Sequence, residues 1–189
     1  HNRCRRQRQM CIRDRSSTKV GPTIADDIKK NSFLAIFGSL IVVFLYILLR
    51  FRDWQYSLGA VAAVFHDVLI VLGVFSIAYT WMPFNMEINQ AFIAAILTVI
   101  GYSLNDTVVV FDRIREFRFI NKTWEFKKIV DGALNSTLSR TLNTSFTTLV
   151  VLLAIFLFGG ESIKGFMFAL IIGVVVGTYS SVFIATPVM

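Results

Sequence analysis

An acid stands in a stretch otherwise apolar enough for a bilayer: Asp106, in GYSLNDTVVVFDRIRE (residues 101–116). A charge near the bilayer centre costs at least ~2.5–3.5 kcal/mol, so such groups face the protein interior and find partners. Arg140 and the pair His66-Asp67 raise the same question. Thr98, Tyr102 and Asp106 are four apart and share one helical stripe, with Asn105 beside it. Thr137, Arg140, Thr141, Thr144 and Thr148 form a second, hydroxyl-rich stripe. Stripes of this kind suit water-lined or proton-conducting interfaces. Asp106 could bind and release a proton: neutral, it frees Arg140, and ionised, it pairs with it. Each state would then favour a different helix arrangement. The alternative is a static Asp106–Arg140 ion pair that fixes packing. The residues alone leave both open.

His66 and Asp67 point about 100° apart on a helix, so one groove cannot hold both well. Asp67 is a candidate second relay carboxylate, or a hydrogen-bonded contact between helices. His66 has no second ligand at i+4, which argues against a metal site. Gly173, Gly177, Ser181 and Ala185 repeat every four residues. This small-residue stripe lets two membrane helices approach closely and points to packing, not chemistry. The sequence offers no phosphate-binding glycine loop and no nucleophile with a base. Neither an enzyme nor a cofactor is expected.

The elements that must position these groups follow from composition. Of 189 residues, 55% are hydrophobic and 16% charged, and the mean hydropathy is +0.64. A soluble domain cannot hide that much apolar surface. A spanning helix needs ~20 mostly apolar residues, and five segments qualify: 32–50, 57–80, 89–111, 138–158 and 164–186. The fold class expected is therefore an all-α membrane protein of five transmembrane helices. The net charge of +7 is concentrated in the first fifteen residues and after residue 112, unlike the spread basic face of a nucleic-acid binder. Arg50 and Arg52 in one turn, and Arg113, Arg115, Arg118, Lys122, Lys127 and Lys128 in the loop 112–137, place those loops in the cytoplasm. The flank before the first span then lies outside. Lys29 and Lys30 there are a mild conflict, partly offset by Asp26 and Asp27. Trp54, Tyr56, Tyr79 and Trp81 are expected at the interfaces around the second span. The loop 112–137 is expected to be partly helical, with Phe117, Ile120, Trp124, Ile129 and Leu134 on one face. Residues 1–17 carry Cys4 and Cys11 and are dense in Arg. They are expected to be a non-native tail, because MCIRDR resembles translated sequencing-adaptor sequence. Both ends look truncated.

GYSLNDTVVVFDRIRE also resembles the fourth-span signature of the SecF family of protein-export membrane subunits. VGPTIADDIKKNS (20–32), FHDVLIVLG (65–73), LNSTLSRTLNTSFTTL (134–149) and GGESIKGFMFALIIGVVVGTYSSVFIATPV extend the resemblance over roughly residues 20–189. The sister SecD family carries a DANVLIFERIRE-like version instead. The resemblance implies a bundle of the resistance-nodulation-division type, of which spans two to six are present. Residues 18–31 would then be a remnant of a periplasmic domain and 32–189 the transmembrane bundle. It implies a bacterial inner-membrane subunit that pairs with SecD. The pair would use the proton-motive force to draw unfolded polypeptide from the SecYEG channel, the periplasmic domain gripping the substrate. The family's intramembrane Asp and Arg match Asp106 and Arg140 and favour the relay. Asp67 matches a family motif to which no proton role is given. The implied partners are SecD, SecYEG, exported polypeptide and the lipid bilayer, with no nucleic acid. A small-molecule exporter of the same superfamily and a non-transporting scaffold of the Sec channel are the competing expectations.

Overall fold

The computed structural model describes residues 22–82, 84, 86 and 88–189, with side chains from residue 30 onward. The tail expected at 1–17 lies outside the described residues. Five helices are long and apolar enough to cross a bilayer. They are α1 (Pro22–Phe51), α2 (Trp54–Ala78), α3 (Gln90–Ile120), α4 (Phe126–Phe158) and α5 (Glu161–Ser180). A five-residue π-helical segment, Ser181–Ala185, and a last turn, Thr186–Val188, prolong α5. Among the described residues there is no strand. Residues 22–31 are helical and continuous with the first span.

Local chemistry sets the helix limits. Arg52 takes a left-handed φ of 61° and lets the chain reverse between α1 and α2. The Asn89 side chain caps α3 by accepting from the Phe92 N–H at 3.1 Å. Gly159, in extended conformation, ends α4. Inside the spans the hydroxyls of Thr98, Thr107, Thr144, Thr148 and Thr178 donate to carbonyls four residues back. That satisfies them without water, as an apolar surrounding demands.

Two span limits differ from the hydropathy reading. The segment 112–137, expected as a partly helical loop, is helical except for 121–125, because α3 and α4 both continue past their apolar stretches. At ~1.5 Å per residue, α3 measures roughly 46 Å, well beyond the ~30 Å hydrocarbon core. The α3–α4 hairpin is closed by the Phe117 ring packed on Gly132 and by Lys128 over the Trp124 ring at 4.5 Å. Tyr56, expected at the interface, is only 3% exposed. It stacks on Phe51 at 5.1 Å and meets Phe111 edge-on at 5.1 Å. Its ring faces inward because the turn at Arg52 brings α2 back onto the end of α1. Trp54, Tyr79 and Trp81 are exposed.

The core has two apolar layers and a polar one between them. At the end bearing Arg50 and Arg115, Phe51, Tyr56, Ala60, Phe111, Ile114 and Ala185 pack together. At the opposite end, Phe75, Met86, Phe92, Val99 and Ala169 do so. Between them α2, α3 and α5 bury Asp67, Ser103, Asp106, Thr107, Ser180 and Ser181. α3 and α5 are the central pair: Gly173 faces Val99, and a Cβ on Gly177 would stand 3.1 Å from that of Ser103. α1 flanks α2 on one side, and α4 packs on α3 and α5 on the other.

Candidate functional site

The long apolar run of α3 carries Asp106 into the middle polar layer, where its residue is 3% exposed. Its Oδ2 is buried with no hydrogen-bond partner. Ser145 and Arg140 act on the carboxyl from α4 without closing a bond on Oδ2. The Ser145 hydroxyl is shared: it lies 2.6 Å from Thr178 Oγ1 of α5 and accepts from the Tyr102 hydroxyl at 3.4 Å. Three helices therefore converge on the acid.

Arg140 does not pair with Asp106. Among the described residues the ion pairs are Arg50–Asp112, His66–Asp67 and Arg113–Glu116. Arg140 is exposed and lines a groove of about 340 Å³ with Asp112, Arg113, Glu116, Ser136 and Thr137. The hydroxyl stripe of α4 divides accordingly. Thr137, Thr141 and Ser145, four apart, are buried and face the bundle. Arg140, Asn143 and Thr147 are exposed on the other face. Thr144 and Thr148 are spent on their own backbone. Thr141 Oγ1, like Asp106 Oδ2, is buried without a partner. Thr137 belongs both to the groove and to the inward stripe, and its hydroxyl donates to the Ala133 and Leu134 carbonyls. Asn105, next to Asp106, is exposed and lines a separate small cavity against α1, with Val43, Tyr46 and Ile47. Thr98 is exposed and satisfied within its own helix.

Asp67 is placed quite differently. It is 0% exposed, and its Oδ2 accepts from Ser103 Oγ at 2.5 Å and from Ser180 Oγ at 2.7 Å. His66 Nδ1 lies 3.3 Å from its Oδ1. One carboxylate thus ties α2 to both α3 and α5. Ser103, Thr178 and Ser180 were not foreseen as part of a polar layer. Ser103 sits three residues before Asp106, on a neighbouring stripe. Ser180 precedes Ser181 of the small-residue repeat by one and turns to a different helix. The signal available was an excess of serines inside spans. Ser181 itself donates to the Thr178 carbonyl at 3.0 Å. Among the described residues no group of acids, histidines or cysteines has the grouping of a metal site.

The comparisons with known proteins agree with this architecture. The family described as "Protein export membrane protein SecD/SecF, C-terminal" matches residues 3–189. The protein translocase subunit SecF of Rhodothermus marinus is 58% identical over 90% of this chain and 55% of its own length. The protein translocase subunit SecDF of Brucella abortus is 46% identical over 90% of this chain and 22% of its own. A crystal structure of SecDF in a super-membrane-facing form superposes with a TM-score of 0.77. It is 37% identical and covers 89% of this chain and 22% of that one. The chain spans about half the length of the SecF relatives it matches. With five bilayer-length helices, a family match over nearly its whole length and a solved relative of the same fold, the chain belongs to the SecD/SecF C-terminal family of protein export membrane proteins.

Proposed function

We propose that this chain is the membrane part of a SecF-type translocase subunit, in which Asp106 binds and releases a proton to couple the proton-motive force to export. The observation that carries the reading is the buried Asp106 Oδ2 with no partner inside the bundle. A carboxylate kept only for packing would have its lone pairs filled, as those of Asp67 are. An acid that must exchange a proton needs an open oxygen and a way to water. The Thr141 and Thr137 hydroxyls and the groove beside Arg140 supply that direction. Protonated, the Asp106 carboxyl is neutral and Arg140 is free to face outward. Deprotonated, its charge draws the guanidinium inward, and α4 must turn or bend against α3 to bring them together. The missing contact between the two also speaks against a static ion pair.

The cationic end, with the α3–α4 hairpin, lies in the cytoplasm by the positive-inside rule. The start of α1 then faces the periplasm, and the membrane is the bacterial inner membrane. SecD is the partner that the SecDF relatives suggest, with SecYEG and the emerging unfolded polypeptide as the further contacts.

The test uses the full-length subunit with SecD and SecYEG in vesicles. Asp106→Asn keeps size and hydrogen bonding but removes the charge cycle. Gradient-dependent export should fall to the level seen without a gradient, while the complex still assembles. Export that still responds to the gradient would refute the relay. Loss of assembly would favour a packing role.

A further inference from the structure

We infer that the Ser145 and Thr178 hydroxyls form a reversible chain that reads the charge of Asp106, with Thr178 holding Ser145 off the neutral acid and releasing it to the carboxylate. The inference rests on the proton exchange proposed for Asp106 and adds two positioning residues to it, one on α4 and one on α5.

The hydrogens can be assigned by elimination. A Ser or Thr hydroxyl has one hydrogen to give. Thr178 Oγ1 lies 2.7 Å from the Val174 carbonyl oxygen, which can only accept, so the Thr178 hydrogen goes there. The Tyr102 hydroxyl donates to Ser145 Oγ at 3.4 Å. The 2.6 Å contact between Ser145 Oγ and Thr178 Oγ1 then holds the Ser145 hydrogen. Ser145 is therefore turned to α5 and has no hydrogen left for Asp106, although it stands beside the carboxyl. That accounts for an acid that is 3% exposed and yet has an empty Oδ2. A neutral carboxyl tolerates this arrangement. A carboxylate does not, because a buried charge without donors costs more than a buried neutral group. The outward position of Arg140 agrees with a neutral acid.

Loss of the proton reverses the chain. Ser145 turns its hydrogen to the carboxylate, in a charge-assisted bond about twice as strong as a neutral one. Thr178 turns from the Val174 carbonyl to Ser145 Oγ, so the 2.6 Å contact stays bonded with its donor exchanged. No proton travels along the chain: each hydroxyl keeps its own hydrogen and rotates. The Val174 carbonyl keeps its place in the α5 ladder, so losing the Thr178 hydroxyl costs it little. The contact between α4 and α5 thereby depends on the state of an acid on α3.

The test is infrared titration of the full-length subunit, assembled with SecD, in a supported bilayer. The carboxyl band of Asp106 is identified by its loss in Asp106→Asn, and the pH at which it is half lost is read. Ser145→Ala removes the donor that serves the carboxylate, so the half-loss pH should rise by about one unit. Thr178→Val removes the acceptor that holds Ser145 away, so the half-loss pH should fall by about half a unit. Thr178→Ser keeps the hydroxyl and should titrate with the unaltered protein. The charged groups around Asp106, Arg140 on α4 and the His66–Asp67 pair on α2, are untouched by these changes, and α5 carries none beyond Lys164. A purely structural role would loosen the packing and admit water, which favours the charged form and lowers the half-loss pH in both variants. Shifts of the same sign, or no shift in either variant, would overturn the inference. The relay is read separately, by Asp106→Asn on export. Opposite shifts with export indifferent to Asp106 would uphold the hydroxyl chain and remove the relay. Export that needs Asp106, without the opposite shifts, would keep the relay and remove the chain.

Discussion

Asp67 and Asp106 are two acids held in different ways in one membrane bundle. Asp67 accepts from two hydroxyls on two helices and meets an imidazole, so its charge is shared and its rotamer is fixed. Asp106 keeps one oxygen empty. On the proposed reading Asp67 is a fastening and Asp106 the exchangeable group. Ser103→Ala and Ser180→Ala should each destabilise the bundle by ~0.6–2 kcal/mol, the range for hydrogen bonds between membrane helices. Asp67→Ala should cost more than either, since it unties α2 from both α3 and α5. Denaturant-induced unfolding in mild detergent measures all three. Asp67→Asn keeps an acceptor oxygen and should leave gradient-dependent export in place, in contrast to Asp106→Asn. A stable Asp67→Asn protein that has lost its gradient response would exchange the two roles.

At the scale of elements, the α3–α5 contact sets the geometry around Asp106. A Cβ on Gly173 would run into the Val99 side chain. Val99 is 1% exposed and β-branched, so it has almost no rotamer to retreat into. Gly173→Ala should cost about 1–3 kcal/mol by overpacking. Val99→Ala should give most of it back in the double variant, a coupling that a two-residue mutant cycle reads directly. Gly101 has nothing within 4 Å of an added Cβ. Gly101→Ala should be neutral or stabilise by up to ~1 kcal/mol. That α5 packs closely on another helix was legible in the sequence, because small residues every four positions have few other uses in a span; that the partner is α3 was not. The five spans were legible for the same reason: apolar length admits little else. Two things were hidden. Hydropathy marks where the bilayer ends, and α3 and α4 run on past it as ordinary helices. Ser103 sits one position off the Thr98-Tyr102-Asp106 stripe and Ser180 one off the small-residue repeat, and only the packing of three helices brings both onto Asp67. Asp106 and Arg140 stood out by charge alone. That Arg140 faces away from Asp106 depends on the rotation of α4, which residue spacing does not fix.

For the whole molecule, the outward face of α4 is the feature that needs a partner. Arg140, Asn143 and Thr147 are exposed on a helix that crosses the bilayer, alongside exposed Phe146, Val150 and Val151. Lipid would leave the guanidinium and the amide unsatisfied at a cost of several kcal/mol. The polar face therefore calls for protein, whereas the bare face of α1 at Leu45 and Leu49 is purely apolar and suits lipid. A SecD-type half is the covering surface expected from the SecDF relatives, in which the matched region is 22% of a longer chain. Cysteines placed at Asn143 and Thr147 in an otherwise cysteine-free full-length subunit should crosslink to SecD in vesicles with a short bifunctional maleimide. Cysteines at Leu45 and Leu49 should not. The yield at 143 and 147 should also change when the gradient is imposed, because in the proposed cycle Asp106 on α3 pulls on Arg140, which shares α4 with these two positions. If these two positions instead react with a lipid-soluble maleimide as readily as 45 and 49, α4 faces the bilayer. The exposed guanidinium would then need water drawn into the membrane, and the coupling would have to run through this bundle alone.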